Sequence, residues 1–375
     1  MRAFVTTLEE IKHICLCFIV LLIFVRFYVF LVLECRFFFV TLQSFYINMN
    51  IYKLTNISEL AFDSVVTVGM FDGVHIGHQH ILSMLTAEAR RRRMVPVVVT
   101  FDRHPLQVLC PDRPFVRVST NEERYRLIEA CGVTDVVEIH FTEEVAQLSA
   151  CEFFREILVG RLHARSLVLG FDNMFGSKQR NDFDHLPSLA EEMGVNVLTD
   201  TAVKYHDVEV SSTQIRQTLL QGDVCLASQM LGYRYRLWGE VVKGRQVGRT
   251  LGFPTANVCL EDASKALPAD GVYAVRVLLP DGSARMGMAN FGGQPTFGLD
   301  KPVFEVNIFD FEGDLYGSVL DVEFVVRLRD VCKFDGVEAL VAQLNKDRND
   351  AREALSRQDL KGSILHLKAL KQNID

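Results

Sequence analysis

The stretch Val66-Thr67-Val68-Gly69-Met70-Phe71-Asp72-Gly73-Val74-His75-Ile76-Gly77-His78-Gln79-His80-Ile81-Leu82 decides how the first half of the chain folds. An apolar β-branched run ends at Gly69, and an amphipathic helix opens near His75, with Ile81, Leu82, Leu85 and Ala89 on one face. A strand that turns directly into a helix leaves free N–H groups and the positive dipole end facing the turn. Such a turn suits a polyphosphate, and Gly73 and Gly77 would let the backbone approach it. His75 and His78, three apart, can reach one phosphate chain from the same side and stabilise charge that builds up in a transition state. Asp72 can hold the loop or orient a histidine. The plainer reading is that the histidines serve only as helix caps.

Outward from this turn the pattern repeats. SVVTVG (64–69), PVVVTF (96–101), TDVVEIH (134–140), RSLVLG (165–170) and VNVL (195–198) are short apolar runs with little alternation. Strands buried on both faces of a parallel sheet read this way. Amphipathic segments lie between them, one opened by a capping box of Thr120 with Glu123. A doubly wound α/β domain follows, with ligands at the carboxyl ends of its strands. Ser211 to Arg216, SSTQIR, stands before a late helix and offers hydroxyls and a guanidinium to the same nucleotide, or simply an N-cap.

After Leu231 the texture changes to RLWGEVV, GVYAVRVLL, ARMGMANF, FEVNIFDF and LDVEFVVRL, with Pro280-Asp281-Gly282-Ser283 as a hairpin turn. This is an antiparallel barrel or sandwich, and the chain from Gly336 reads as a closing helix. The boundary is expected near Gly232, giving domains 49–232 and 233–375.

Within the second half, Gly248-Arg249-Thr250-Leu251-Gly252-Phe253-Pro254-Thr255-Ala256-Asn257 has no helical period. Pro254 fixes its own φ and extends Phe253, so Thr255 and Asn257 project together as hard oxygen ligands suited to Mg²⁺. Gly248 and Gly252 would let the backbone wrap an anion, with Arg249 nearby. In FEVNIFDF, Glu305 and Asn307 lie opposite Phe304, Val306 and Ile308. A mid-strand carboxylate there can take a proton from an attacking hydroxyl. A Pro-Thr turn and a surface glutamate are the bland alternatives.

GMFDGVHIGH, VTFDRHP, LGFDNMFG and SSTQIR occur in the order found in the adenylyltransferase half of bacterial bifunctional riboflavin kinase/FAD synthetases, and the chain resembles that family. GRTLGFPTAN, ANFGGQPTF, LYG and LRDVCKF resemble its riboflavin kinase half, so the two resemblances cover nearly everything after Met49. Asn173, ahead of Met174-Phe175-Gly176, stands where the family's Gly-x-Asp/Asn-Phe-x-Phe-Gly stretch has Phe, and Gln294 stands where many members carry a basic residue. The resemblance implies a Rossmann-like nucleotidyltransferase domain and a six-stranded barrel. It also implies ATP, Mg²⁺ and the flavins riboflavin, FMN and FAD as cofactor and reactants. It places ATP phosphates on His75 and His78, helped by Gly69, Phe71, Asp72, Gly73, Gly77, Asp172, Ser212, Thr213 and Arg216. A second ATP falls to Gly248, Arg249, Gly252, Pro254, Thr255 and Asn257, the metal to Thr255 and Asn257, and the base role to Glu305. The rival readings are a kinase with a silent first half, and a flavin-binding sensor.

Composition narrows the classes further. Of 375 residues, 49% are hydrophobic and 23% charged, a globular profile. Lys+Arg 40 against Asp+Glu 47 gives a net charge of −7 and no general pull toward nucleic acid. Arg90 to Arg93 end a helix, where cations complement the dipole, so no nucleic acid is expected. Nine cysteines without Cys-x-x-Cys fit a reducing, cytoplasmic setting, as packing residues. Residues 1–48 stand apart: Ile14 to Leu33 is apolar and of membrane-span length, interrupted by Arg26. Either a helix anchors the enzyme to a membrane, or the reading frame extends upstream of a start at Met49. Oligomeric state is not legible.

Overall fold

The apolar runs of the first half form a six-stranded parallel sheet in the computed structural model. Its strands are β1 (Asn50–Lys53), β2 (Ser64–Val68), β3 (Val95–Phe101), β4 (Asp135–Ile139), β5 (Ala164–Leu169) and β6 (Asn196–Thr199). The structure describes residues 49–372 other than 171–174, 178–181, 200–203, 206–207, 245, 261, 263 and 295–298. The hydrophobic segment at Ile14 to Leu33, together with Asp172, Asn173 and Met174, lies outside the described residues. Asn48–Asp375 forms one compact unit.

The sheet order is β1-β4-β3-β2-β5-β6. The chain leaves β2 toward β3 and later returns to β5 on its other side. Ligand crevices open at such a reversal, beyond the carboxyl ends of the strands. Every residue of β2 is buried, as a strand covered on both faces requires. Helix α1 (Ile76–Arg92) covers the sheet with Ile81, Leu82, Leu85 and Ala89, all buried. Each of the larger three contributes about 1.5–3 kcal/mol by burial. Helix α2 (Asn121–Ala130) opens with both bonds of the Thr120–Glu123 capping box in place. β1 escapes the sequence pattern because it is a four-residue edge strand without an apolar run.

A two-stranded hairpin, β7 (Lys204–Tyr205) and β8 (Val208–Glu209), precedes helices α3 (Ser212–Leu220) and α4 (Val224–Leu231). Gly232 ends α4 in the left-handed conformation, at φ 78°. Beyond it, β9 (Arg236–Val242), β10 (Ala256–Leu260), β11 (Gly271–Leu278), β12 (Ala284–Gln294), β13 (Leu299–Ile308) and β14 (Val319–Arg329) close into an antiparallel barrel of order β10-β13-β12-β11-β14-β9. Of the two architectures the sequence left open, the barrel is the one formed. Leu279 and Ser283 close the expected β11–β12 hairpin at 2.9 Å. Helix α5 (Val337–Gln372) lies outside the barrel, where Ala351 and Leu355 pack with Phe253, Ala274, Met288 and Val325.

One apolar cluster joins the two halves. Ile215, Leu219, Ala227, Met230 and Leu231 of α3 and α4 are continuous with Tyr273, Val275, Phe304, Val306 and Phe324 of the barrel. The cysteines correct the sequence reading in part. Cys110, Cys259 and Cys332 are exposed rather than packed, while Cys131, Cys151 and Cys225 are half-buried, and all six are free thiols.

Candidate active sites

The turn after β2 is built from uncommon backbone. Phe71 has φ 50°, Gly73 φ 77° and Val74 φ 36°. Left-handed conformations at a non-glycine cost about 1–3 kcal/mol each and persist only where neighbours enforce them. Several do. The Asp72 carboxylate accepts the Val118 amide at 2.9 and 3.0 Å and the Ser119 amide at 2.9 Å. The Gly73 amide donates to the Ser119 hydroxyl at 2.8 Å. Gly73 is required for packing as well as for its φ, since a Cβ there would stand 2.7 Å from Val118 Cγ1. On the side where a Cβ would project, the close neighbour of Gly73 is a side chain of the protein.

His75 caps α1, its Nδ1 accepting the His78 amide at 3.4 Å. The two imidazoles stack with centroids 3.7 Å apart at 18°, and Phe71 leans on His78 at 5.1 Å. Burial above all, then His75 and Arg124, pushes His78 well below the usual imidazole range. The neutral imidazole is favoured, and among the described residues its buried Nδ1 has no hydrogen-bond partner. Gly69 closes β2, donating to Val99 O at 3.0 Å, and Gly77 lies in the first turn of α1.

Helix α3 comes to the same place. Ser211 is its N-cap, accepting the Gln214 amide, so the capping alternative holds for that residue. Ser212 instead donates its hydroxyl to Asp72 O at 2.8 Å. Arg216 Nη1 meets Asp72 Oδ2 at 2.8 Å, while Nη2 donates to Thr213 Oγ1 at 2.9 Å. Thus Phe71, Asp72, Gly73, His75, His78, Ser212, Thr213 and Arg216 converge on one turn. Asp72 itself is buried, and its oxygens are spent on amides and a guanidinium, which makes it a loop anchor. Arg124 was not anticipated; it donates to Met70 O at 3.1 Å and Phe101 O at 2.8 Å, tying the turn to β3. His104, of the quoted VTFDRHP, stacks on Phe115 at 4.3 Å, and the Arg216 guanidinium lies 5.9 Å from that ring.

The second cluster lies on the outer face of the barrel. β10 pairs with β13 so that Asn257 is directly opposite Glu305, and β12 places Asn290 opposite Glu305 from the other side. Residues directly opposite in antiparallel strands share a face. Asn257, Glu305 and Asn290 therefore form one row across three strands, away from the interior that buries Phe304, Val306 and Ile308. All three are half-buried. Asn290 was missed because a cross-strand register is not written in either strand alone.

Gly248 and Arg249 fall in a single turn, Val247–Thr250, and Phe253 N returns to Gly248 O at 2.8 Å. Gly252 has φ 80° with open space around it, which favours glycine for conformation alone. A Cβ on Gly244 would lie 2.2 Å from Asn257 Nδ2, so this glycine makes room for the Asn257 amide. Asn307 donates to Pro254 O at 2.6 Å, fixing the segment that carries Thr255 against β13. Arg249 and Gly252 are exposed, while Thr255 is half-buried. A hydroxyl, an amide and a carboxylate are the hard donor set that Mg²⁺ takes.

Fold and sites together define a Rossmann-like nucleotidyltransferase domain joined to a closed six-stranded barrel. A family model described as FAD synthetase matches residues 57–214, and one described as riboflavin kinase matches residues 231–355. The bifunctional riboflavin kinase/FMN adenylyltransferase of Escherichia coli (strain K12) is 35% identical over 77% of this chain and 92% of its own length. That of Bacillus subtilis (strain 168) is 34% identical over 79% and 93%. A Streptococcus pneumoniae crystal structure, described as a macrolide-efflux protein, covers 81% of this chain and 99% of its own at 36% identity and TM-score 0.72. The chain belongs to the bifunctional riboflavin kinase/FMN adenylyltransferase family. Among the described residues, no helix is long and apolar enough to cross a membrane.

Proposed function

We propose that this chain makes FMN from riboflavin on its barrel half, residues 233–375, and FAD from FMN on its sheet half, residues 49–232. The observation that carries the reading is the pairing of two separate constellations. One is the stacked His75–His78 pair at the start of α1. The other is the Asn257–Glu305–Asn290 row.

In the first reaction Glu305 takes the proton of the ribityl 5′-hydroxyl as its oxygen attacks the γ-phosphorus of ATP, and ADP leaves. Thr255 and Asn257 would hold Mg²⁺ through their side-chain oxygens, and the ion would neutralise charge on the phosphates. Gly248 and Arg249 line the approach of the phosphate tail. In the second reaction an FMN phosphate oxygen attacks the α-phosphorus of another ATP, and pyrophosphate leaves. That phosphate is already anionic at neutral pH, so positioning and charge stabilisation supply the rate without a general base. His78, half-buried and favouring its neutral form, donates a hydrogen bond to phosphate from its other nitrogen, with His75 stacked beside it. Asp72 acts by holding the loop and Arg216. Asp172, of the LGFDNMFG stretch, is expected to add a nucleotide contact.

The division of labour is tested by two substitutions in the full chain. His78→Ala is expected to lower FAD formation from FMN and ATP by about a hundredfold while sparing riboflavin phosphorylation. Glu305→Gln is expected to do the reverse. Equal loss of both activities in either variant would sink the assignment.

A further inference from the structure

The strained turn of the first site is held largely from outside the parallel sheet. Val118 and Ser119, whose amides grip Asp72, follow Arg117, and Arg117 is paired with a segment that leads into barrel strand β11. The Arg117 amide donates to Ser264 O at 2.7 Å, and the Ala266 amide donates back to Arg117 O at 2.7 Å. The Arg117 guanidinium pairs with Asp262. Between Ser264 and Ala266, Lys265 forms a buried ion pair with Glu123, and the same Glu123 oxygen accepts the Thr120 amide at 2.8 Å. Both members of the pair are 8% exposed.

The junction between the halves adds a second hold. Tyr233 donates its hydroxyl to Gly73 O at 2.6 Å, inside the turn itself. Two residues later Tyr235 donates to Ala266 O. Gln79 bridges Val74 O at 2.9 Å and Leu231 O at 2.7 Å. A turn with Phe71 and Val74 at positive φ keeps that shape only if its surroundings over-determine it. Here those surroundings include the junction and the barrel.

We propose that Tyr233 and Lys265 are positioning residues for adenylyl transfer, through which the barrel half sets the shape of the Phe71–Val74 turn. Neither touches the reactants; Tyr233 acts on Gly73 O, and Lys265 acts through Glu123 and the Arg117–Ser119 segment on Asp72. The inference rests on reading the His75–His78 turn as the adenylyl-transfer site. Breaking a buried ion pair by removing one partner leaves an uncompensated charge, so the effect at Lys265 is large and local.

The test compares full-length Tyr233→Phe, Lys265→Met and Lys265→Arg with the parent chain, reading both activities in one preparation. In Tyr233→Phe and Lys265→Met, kcat for FAD formation should fall about tenfold with KM for FMN unchanged. Riboflavin phosphorylation should stay within about twofold of the parent, and Lys265→Arg should recover most FAD formation. Tyr233→Phe deletes a single oxygen atom and decides alone if Lys265→Met does not fold. Unchanged FAD formation in Tyr233→Phe overturns the proposal, as does an equal fall in both of its activities. A parent chain that phosphorylates riboflavin but makes no FAD would instead sink the reading of the first site.

Discussion

At the scale of the residue, burial sets the protonation of His104. His104 accepts the Leu106 amide on Nδ1 at 3.1 Å and stacks on Phe115. Burial, and next the Arg216 guanidinium, bring its pKa down to about 4, with Asp72 acting the other way. The folded protein thus prefers neutral His104, and the unfolded chain binds more protons between about pH 4 and 6.5. Stability therefore falls as pH drops through that window. An NMR titration should place the His104 midpoint near 4, and a midpoint near 6.5 would contradict the geometry. The pairing of His75 with His78 was legible from spacing, because residues three apart on a first helical turn must meet. The lowered pKa of His78 was not, since it depends on burial first, then on His75 and on Arg124 from a separate helix.

At the scale of the element, the end of α1 shows how a charge run resolves into structure. Arg91 Nε meets Glu88 at 2.7 Å, Arg92 also pairs with Glu88, and Ser166 of β5 donates to the same carboxylate at 3.2 Å. The Arg91 hydrogen bond chiefly holds the Glu88 carboxyl at about 2, against the opposing effect of burial and with help from Arg92. A depressed carboxyl pKa stabilises the fold above about pH 4.5, and that contribution is lost as pH falls through about 2. Arg91 is 64% exposed, so screening leaves only part of the apparent energy. Glu88→Gln should cost about 1–2 kcal/mol at pH 7 by urea denaturation, and the difference should vanish below about pH 2. A pH-independent difference would mean that shape, not charge, matters at this position. The sequence placed these arginines at a helix C-terminus correctly. It did not reveal the buried carboxylate one turn earlier, because Glu88 looks like any surface residue until β5 packs over it.

At the scale of the whole molecule, the two halves share a core. Leu219, Met230 and Leu231 are buried against barrel side chains, and Lys265 reaches across to Glu123. Residues 49–232 expressed alone would expose that apolar surface and deprive Glu123 of its partner Lys265. The fragment should melt well below the full chain in calorimetry and aggregate on heating. A fragment as stable as the parent would show that the shared core contributes little.

The sequence by itself determined the order of the apolar strands β2 to β6, the change to an antiparallel second half, the loop at Gly69 to His80 and the GRTLGFPTAN segment. Each is encoded locally, by apolar period, turn chemistry or fixed φ, and needs no partner to be read. Tertiary structure alone decided that Asn290 lines up with Glu305, that Asp72 is an anchor rather than an open ligand, and that the barrel grips the first site. Those facts arise from register and packing between segments far apart in the chain. No single segment carries them, because a hydrogen bond or a buried charge acquires its energy only when both partners arrive.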